Sequence, residues 1–187
     1  MGIKAIGAKI FSKIVVANTQ KWANRPIETQ QKILKQLLSK AKNTQFGKDH
    51  HFTTITSHED FIKQVPVRDY EALRTYIDPM VAGKSNVLWP GKPQYLAKTS
   101  GTTSGAKYIP LTKDSLPYHI DAARDAILHY VAETGKSKFV DGKMIFLQGS
   151  PILEKLNGID LGRLSGIVAH YVPKYLQTNR MPSYKTN

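Results

Sequence analysis

The stretch Leu96–Lys107, LAKTSGTTSGAK, decides how the rest of the chain is read. Between an apolar lead-in and a lysine it sets five hydroxyl side chains (Thr99, Ser100, Thr102, Thr103, Ser104) and two glycines, Gly101 and Gly105. Gln94–Ala97 before it and Tyr108–Leu111 after it are short apolar runs that read as strands. A loop of this composition, held between strands, is suited to cradling phosphate. Glycines let backbone N–H groups approach an anion closely. The hydroxyls donate further hydrogen bonds, and Lys107 brings a charge to a phosphate oxygen. The plainer alternative is a Ser/Thr/Gly surface turn; against it stand the lysine at a fixed end and the apolar strands on both sides.

The loop is not a Walker A element, which needs G-x-x-x-x-G-K-S/T running into a helix. Gly101 and Gly105 are one residue too close, Ala106 separates Gly105 from Lys107, and Tyr108 stands where Ser or Thr is required. It is not G-x-G-x-x-G either, which removes a Rossmann dinucleotide reading. Residues Thr99 to Lys107 do meet every position of another pattern: two Ser/Thr/Gly, a Gly, two Ser/Thr, a Ser/Gly, two free positions and a Lys/Arg. That pattern resembles the first nucleotide-binding motif of the adenylate-forming superfamily. The continuation Tyr108-Ile109-Pro110-Leu111-Thr112 is similar to the Gretchen Hagen, or auxin-responsive promoter, family of acyl-acid amido synthetases and its bacterial relatives. So are Asn43-Thr44-Gln45-Phe46-Gly47-Lys48, Val65-Pro66-Val67-Arg68-Asp69-Tyr70 and Phe146-Leu147-Gln148-Gly149-Ser150-Pro151. The resemblance therefore runs along the whole chain.

Composition is compatible with this and limits the alternatives. The 187 residues are 41% hydrophobic, enough for a buried core. There is no cysteine, so no disulfide, thiolate nucleophile or Cys-based zinc site. The six histidines show no ligand spacing: His50, His51 and His58 are merely close in sequence, and His119 and His129 lie three helical turns apart. No metal ligands are expected. The 27 basic and 14 acidic residues leave a formal charge of +13, which raises nucleic acid or an anionic membrane as a partner. The charges are scattered rather than run together, as on a solvated surface that also attracts ATP, and no nucleic-acid partner is expected. No apolar run is long enough to span a bilayer, and lysines at 4, 9 and 13 interrupt any secretory core. A cytoplasmic location is expected.

The expected fold class is mixed α/β: mainly helical over 1–85, sheet-forming with the phosphate loop over 86–187. Ile3, Ile6, Ile10 and Ile14 share a helical face, expected to pack on the protein's own body; the alternative is peripheral membrane contact by helix 3–16. A helix follows Pro26 with the stripe Ile33, Leu34, Leu37, Leu38 and Ala41, and Gly47 just past its end. Ser57 and Asp60 form a capping box, and Asp69 caps the next helix. Thr112 is expected to cap a helix reaching Thr134, with Leu116, Ile120, Ala123, Ile127 and Tyr130 facing inward and Gly135 closing it. Met144–Leu147 suits a buried strand, and Asn157-Gly158 is a two-residue hairpin signal.

The resemblance implies a two-step reaction using ATP and Mg2+. A carboxylic acid becomes an acyl-adenylate, and an amino acid then takes the acyl group. It implies nucleotide binding by Thr99, Ser100, Gly101, Thr102, Thr103, Ser104, Gly105 and Lys107, with Lys107 neutralising phosphate charge. It also implies an acyl pocket lined by the helix after the loop and the strand ends that follow, hence Tyr118, Arg124, Phe146 and Gln148. For Arg124 a solvated helix-surface role is the alternative, and for Gln148 an ordinary turn. Family members carry a large N-terminal domain and a smaller C-terminal one, so this chain reads as an N-terminal portion of one large domain. The remaining catalytic elements are expected beyond Asn187, and these residues alone are not expected to catalyse.

Overall fold

A computed structural model describes residues 2–99, 105–172, 177 and 179–183. Its helices are α1 (Ile3–Ala23), α2 (Pro26–Ala41), α3 (Gln45–Asp49), α4 (His58–Gln64), α5 (Tyr70–Val81), α6 (Leu116–Thr134) and α7 (Leu164–Ala169), with a 3-10 turn at Lys138–Asp141. Its strands are β1 (Tyr95–Lys98), β2 (Tyr108–Leu111), β3 (Met144–Ile145), β4 (Glu154–Leu156), β5 (Ile159–Gly162) and β6 (Arg180–Met181). The mixed helix-and-sheet class expected from the sequence is what the chain forms. It divides into two compact units, each drawn from separated segments. One holds Met1–Asn24, Asp114–Leu153 and Arg163–Asn187; the other holds Arg25–Lys113 and Glu154–Gly162.

The unit holding the candidate phosphate loop is built on a four-stranded sheet in the order β2-β1-β5-β4. β1 runs antiparallel to β2, with Tyr95 opposite Leu111, and parallel to β5, with Tyr95 beside Asp160. Asn157 and Gly158 join β4 to β5 with φ of 51° and 80°. Two successive positive φ values are what a twist-matched hairpin turn demands. The Asn157 side chain also donates to the Val81 carbonyl at 2.9 Å, tying the turn to the end of α5. Leu96, wholly buried, packs with Ile159 and Leu161 beneath Val81, Tyr108 and Leu156.

The helices of this unit begin where local chemistry dictates. Pro26 opens α2 in its first turn, where a missing N–H costs nothing. Leu38 and Ala41 bury against Phe52 and Ile55, whereas Ile33 and Leu37 remain about half exposed. Gly47 lies past the end of α2, as expected. It lies inside α3, where an added Cβ would run into the Ala41 carbonyl. The Ser57–Asp60 capping box forms as expected, and the Asp69 carboxylate accepts from Ala72 N–H at 2.8 Å to start α5. Tyr76 and Met80 of α5 bury with Val87.

In the other unit α1 packs on α6, and here several expectations are corrected. The isoleucine face of α1 is exposed, Ile3 at 90%, and the buried face is Ala5, Ser12 and Val15. Small side chains let the two helix axes approach, and the bulkier isoleucines are left outside. The helix after β2 starts at Leu116, after Ser115, with Pro117 in its first turn, not directly after Thr112. Its buried residues are Leu116, Leu128 and Val131, a stripe rotated from the one expected; Ile127 and Tyr130 are partly exposed. Gly135 closes α6 in the left-handed region as expected, φ 68°. The Asp141 carboxylate receives the N–H groups of Gly2 and Ala5 at 2.7 and 3.2 Å, satisfying the free donors at the start of α1. Met144–Leu147 is not a buried strand: only Met144–Ile145 pair, parallel to β6, and Leu147 is 97% exposed. A two-stranded ribbon can cover one face of such a run, not both.

Candidate functional site

The loop that opened the sequence reading leaves β1 and returns on β2, and its two ends are clamped. Lys98 stands opposite Tyr108, and one step further Thr99 N–H donates to the Lys107 carbonyl at 3.0 Å. Thr99 and Lys107 therefore face each other at the mouth of the hairpin. Gly105, just before the lysine, has φ 82°, in the region that side chains other than glycine rarely adopt. Ser100, Gly101, Thr102, Thr103 and Ser104 lie outside the described residues. Thr99 and Lys107 are thus paired through their backbones, with the Gly105 turn two residues before the lysine.

A second segment, Arg68-Asp69-Tyr70, reaches this mouth through Tyr70; from the sequence only Asp69 had a role, as a helix cap. Arg68 Nη1 lies 2.8 Å from Nε2 of the buried His50. A guanidinium can only donate, so Nε2 accepts, and His50 Nδ1–H donates to the Phe46 carbonyl at 2.9 Å. The Phe46 and His50 rings stack at 4.1 Å, and the Arg68 guanidinium carbon lies 5.9 Å from the ring centres of both Phe46 and Tyr76. Burial, then the hydrogen bond to Asp49 at 3.1 Å, push the Tyr76 phenol above its ordinary value. Asp69 caps α5. Tyr70 then receives Tyr108 N–H on its hydroxyl at 2.7 Å, and its ring lies 5.2 Å from Lys107 Nζ.

The residues expected at the acyl pocket all fall in the other unit. Tyr118 on α6 is 78% exposed. Arg124, also on α6, contacts Asp121 at 2.7 Å and Asp125 at 2.8 Å and lies 5.5 Å from the Phe11 ring. Phe146 is partly exposed, its N–H donating to the Met181 carbonyl. Gln148 is half-buried, and its Nε2 has no hydrogen-bond partner among the described residues. The same is true of all three guanidinium nitrogens of Arg180, which is 3% exposed and starts β6. A cation so buried and unpaired is costly. No sequence signal marked it, since one arginine in an aperiodic segment looks like any other.

His50, His129 and His170 act as hydrogen-bonding struts: His129 Nε2 meets Thr19 Oγ1 at 2.9 Å, and His170 Nε2 meets the Pro151 carbonyl at 2.7 Å. No group of three or more His, Cys, Asp or Glu among the described residues is placed to hold a metal ion. Nor is any described helix long and apolar enough to cross a membrane.

A family model described as the GH3 family N-terminal domain matches residues 15–185. Indole-3-acetic acid-amido synthetase GH3.15 of Arabidopsis thaliana is 33% identical over 95 residues, spanning 50% of this chain and 16% of that protein. The solved AtGH3.15 acyl acid amido synthetase in complex with 2,4-DB superposes with a TM-score of 0.75. That match covers 94% of this chain and 31% of the other at 23% identity. A second structure, GH3.15 acyl acid amido synthetase, gives 0.65 over 76% of this chain and 26% of its own, at 24% identity. At these identities the structural likeness concerns the fold, and the chain spans less than a third of the length of the proteins it matches.

Proposed function

This chain belongs to the GH3 family N-terminal domain, and we propose that it is the N-terminal part of an ATP-dependent acyl-acid amido synthetase. The observation that carries the reading is the complete hydroxyl–glycine–lysine motif on a hairpin clamped at Thr99 and Lys107. In the first step a carboxylate oxygen attacks the α-phosphorus of ATP and the bond to the β-phosphate oxygen breaks. Pyrophosphate leaves with the electron pair. In the second step an amino acid amine attacks the activated carbonyl and AMP leaves. Negative charge gathers on the departing pyrophosphate, so donors and a cation already fixed beside it lower the barrier without reorganising. In this reading Lys107 takes that role, with Thr99, Ser100, Thr102, Thr103 and Ser104 as further donors and Gly105 admitting close backbone approach.

The donors described at the loop suit a polyanion. Mg2+ would arrive with the phosphates rather than in a ready-made protein cage, and would supply further neutralisation of their charge. Tyr118, Phe146 and Gln148 are the proposed contacts of the carboxylic acid. Arg124 is a weaker one, because Asp121 and Asp125 already compete for its guanidinium. The protein works in the cytoplasm in this reading. ATP–pyrophosphate exchange by the full-length protein tests it: Lys107→Ala is expected to abolish exchange, and unchanged exchange removes the assigned role.

One observation favours a second reading, a membrane-peripheral protein: the exposed isoleucines of α1 lie among Lys4, Lys9 and Lys13. Flotation with anionic liposomes, with and without Ile6→Gln and Ile10→Gln, decides it. Flotation that these changes do not weaken would count against α1 as the anchor.

A further inference from the structure

We propose that Tyr70 is the positioning residue of Lys107, fixing both the ammonium group and the backbone that carries it. The inference rests on the reading of residues 99–107 as the phosphate grip. A lysine side chain is long and freely rotating, and a cation that must meet a leaving group gains from being held beforehand. Two contacts hold this one. The Tyr70 ring lies 5.2 Å from Lys107 Nζ, within the range at which an aromatic ring attracts a cation. The Tyr70 hydroxyl accepts from the N–H of Tyr108, the next residue, at 2.7 Å, and lies 3.5 Å from the Tyr108 carbonyl oxygen. The ring and its hydroxyl thus grip the lysine and its backbone from one side, while Thr99 N–H grips the Lys107 carbonyl from another.

Tyr70 is itself held. It is the first residue of α5, directly after the Asp69 cap and the Arg68 bridge to buried His50. Three consecutive residues therefore divide the work: Arg68 fastens the segment to α3, Asp69 starts the helix, and Tyr70 reaches the loop. An ammonium keeps donor capacity while it lies over a ring, so Lys107 can meet a phosphate oxygen without leaving Tyr70.

The test is a double-mutant cycle in the full-length protein, read by ATP–pyrophosphate exchange with ATP and acid varied separately. Tyr70→Leu, which loses ring and hydroxyl, is expected to lower kcat/KM for ATP about fivefold, the size of a surface cation–π contact. Tyr70→Phe, which keeps the ring, is expected to lower it less. KM for the acid should not move in either variant. In a Lys107→Met background, Tyr70→Leu should bring almost no further loss, because the group it positions is gone. A loss that is as large in that background as in the wild type, or a matching rise in KM for the acid, overturns the positioning role. If Lys107→Met alone leaves kcat/KM for ATP unchanged, the phosphate-grip reading falls and this inference with it.

Discussion

Gly47 and Gly105 are glycines for different reasons, and substitutions should separate them. At Gly47 the obstacle is a neighbour: a Cβ would collide with the Ala41 carbonyl where α3 folds back on α2. Gly47→Ala is expected to destabilise by about 1–3 kcal/mol, the usual cost of overpacking, seen as a lower urea midpoint at unchanged slope. At Gly105 a Cβ would meet nothing within 4 Å, and the obstacle is the backbone, at φ 82°. Asparagine enters the left-handed region more readily than β-branched residues do. Gly105→Asn should therefore raise KM for ATP less than Gly105→Val, and should also lower stability less. The sequence marked Gly105 through its motif and placed Gly47 just past α2 without a reason for it. Its real constraint is a contact with Ala41, which periodicity does not report.

Among the elements, the short-range signals were the legible ones. Ser57 with Asp60, Asp69, Gly135 and Asn157-Gly158 each depend on atoms within a few residues, and each formed where expected. Asp69→Ala should cost about 1 kcal/mol through α5, measured by thermal or urea unfolding. Asp60 accepts from the hydroxyl and N–H of Thr56 and from Ser57 N–H, and these bonds hold its carboxyl down to about 2 from 3.8. A carboxyl lowered by folding stabilises the folded state above its unfolded value. That contribution is lost as pH falls from about 4 through about 2. Following the Asp60 carboxyl by NMR should give a midpoint near 2, and Thr56→Val, which removes the largest cause, should raise it. The inward faces of α1 and α6 were not legible. α1 and α6 are each apolar on more than one side, so the packing partner, not the periodicity, chose Ala5, Ser12 and Val15 over the isoleucines.

For the whole molecule, the formal charge of +13 supplies attraction without a pattern that could read bases. Duplex DNA on a column should retain the protein at low salt, release it by roughly 0.2 M salt, and show no preference among sequences. Retention that survives higher salt or favours one sequence would reinstate a nucleic-acid role. Tertiary placement also explains why the loop was found at once and its support was not. Residues 99–107 are contiguous, whereas Tyr70 meets them only because α5 folds onto β2. The same non-local arrangement governs the sheet, since Tyr95 of β1 pairs with Leu111 on one side and Asp160 on the other. On a ribosome adding about 5–20 residues per second, β2 reaches its partner almost immediately, while β5 arrives several seconds later. Until then the inner edge of β1, the strand that carries the loop, has unpaired backbone groups open to a neighbouring nascent chain. Slower translation of residues 112–153 should lengthen that exposure and lower soluble yield, so the candidate loop is most vulnerable before the protein is finished.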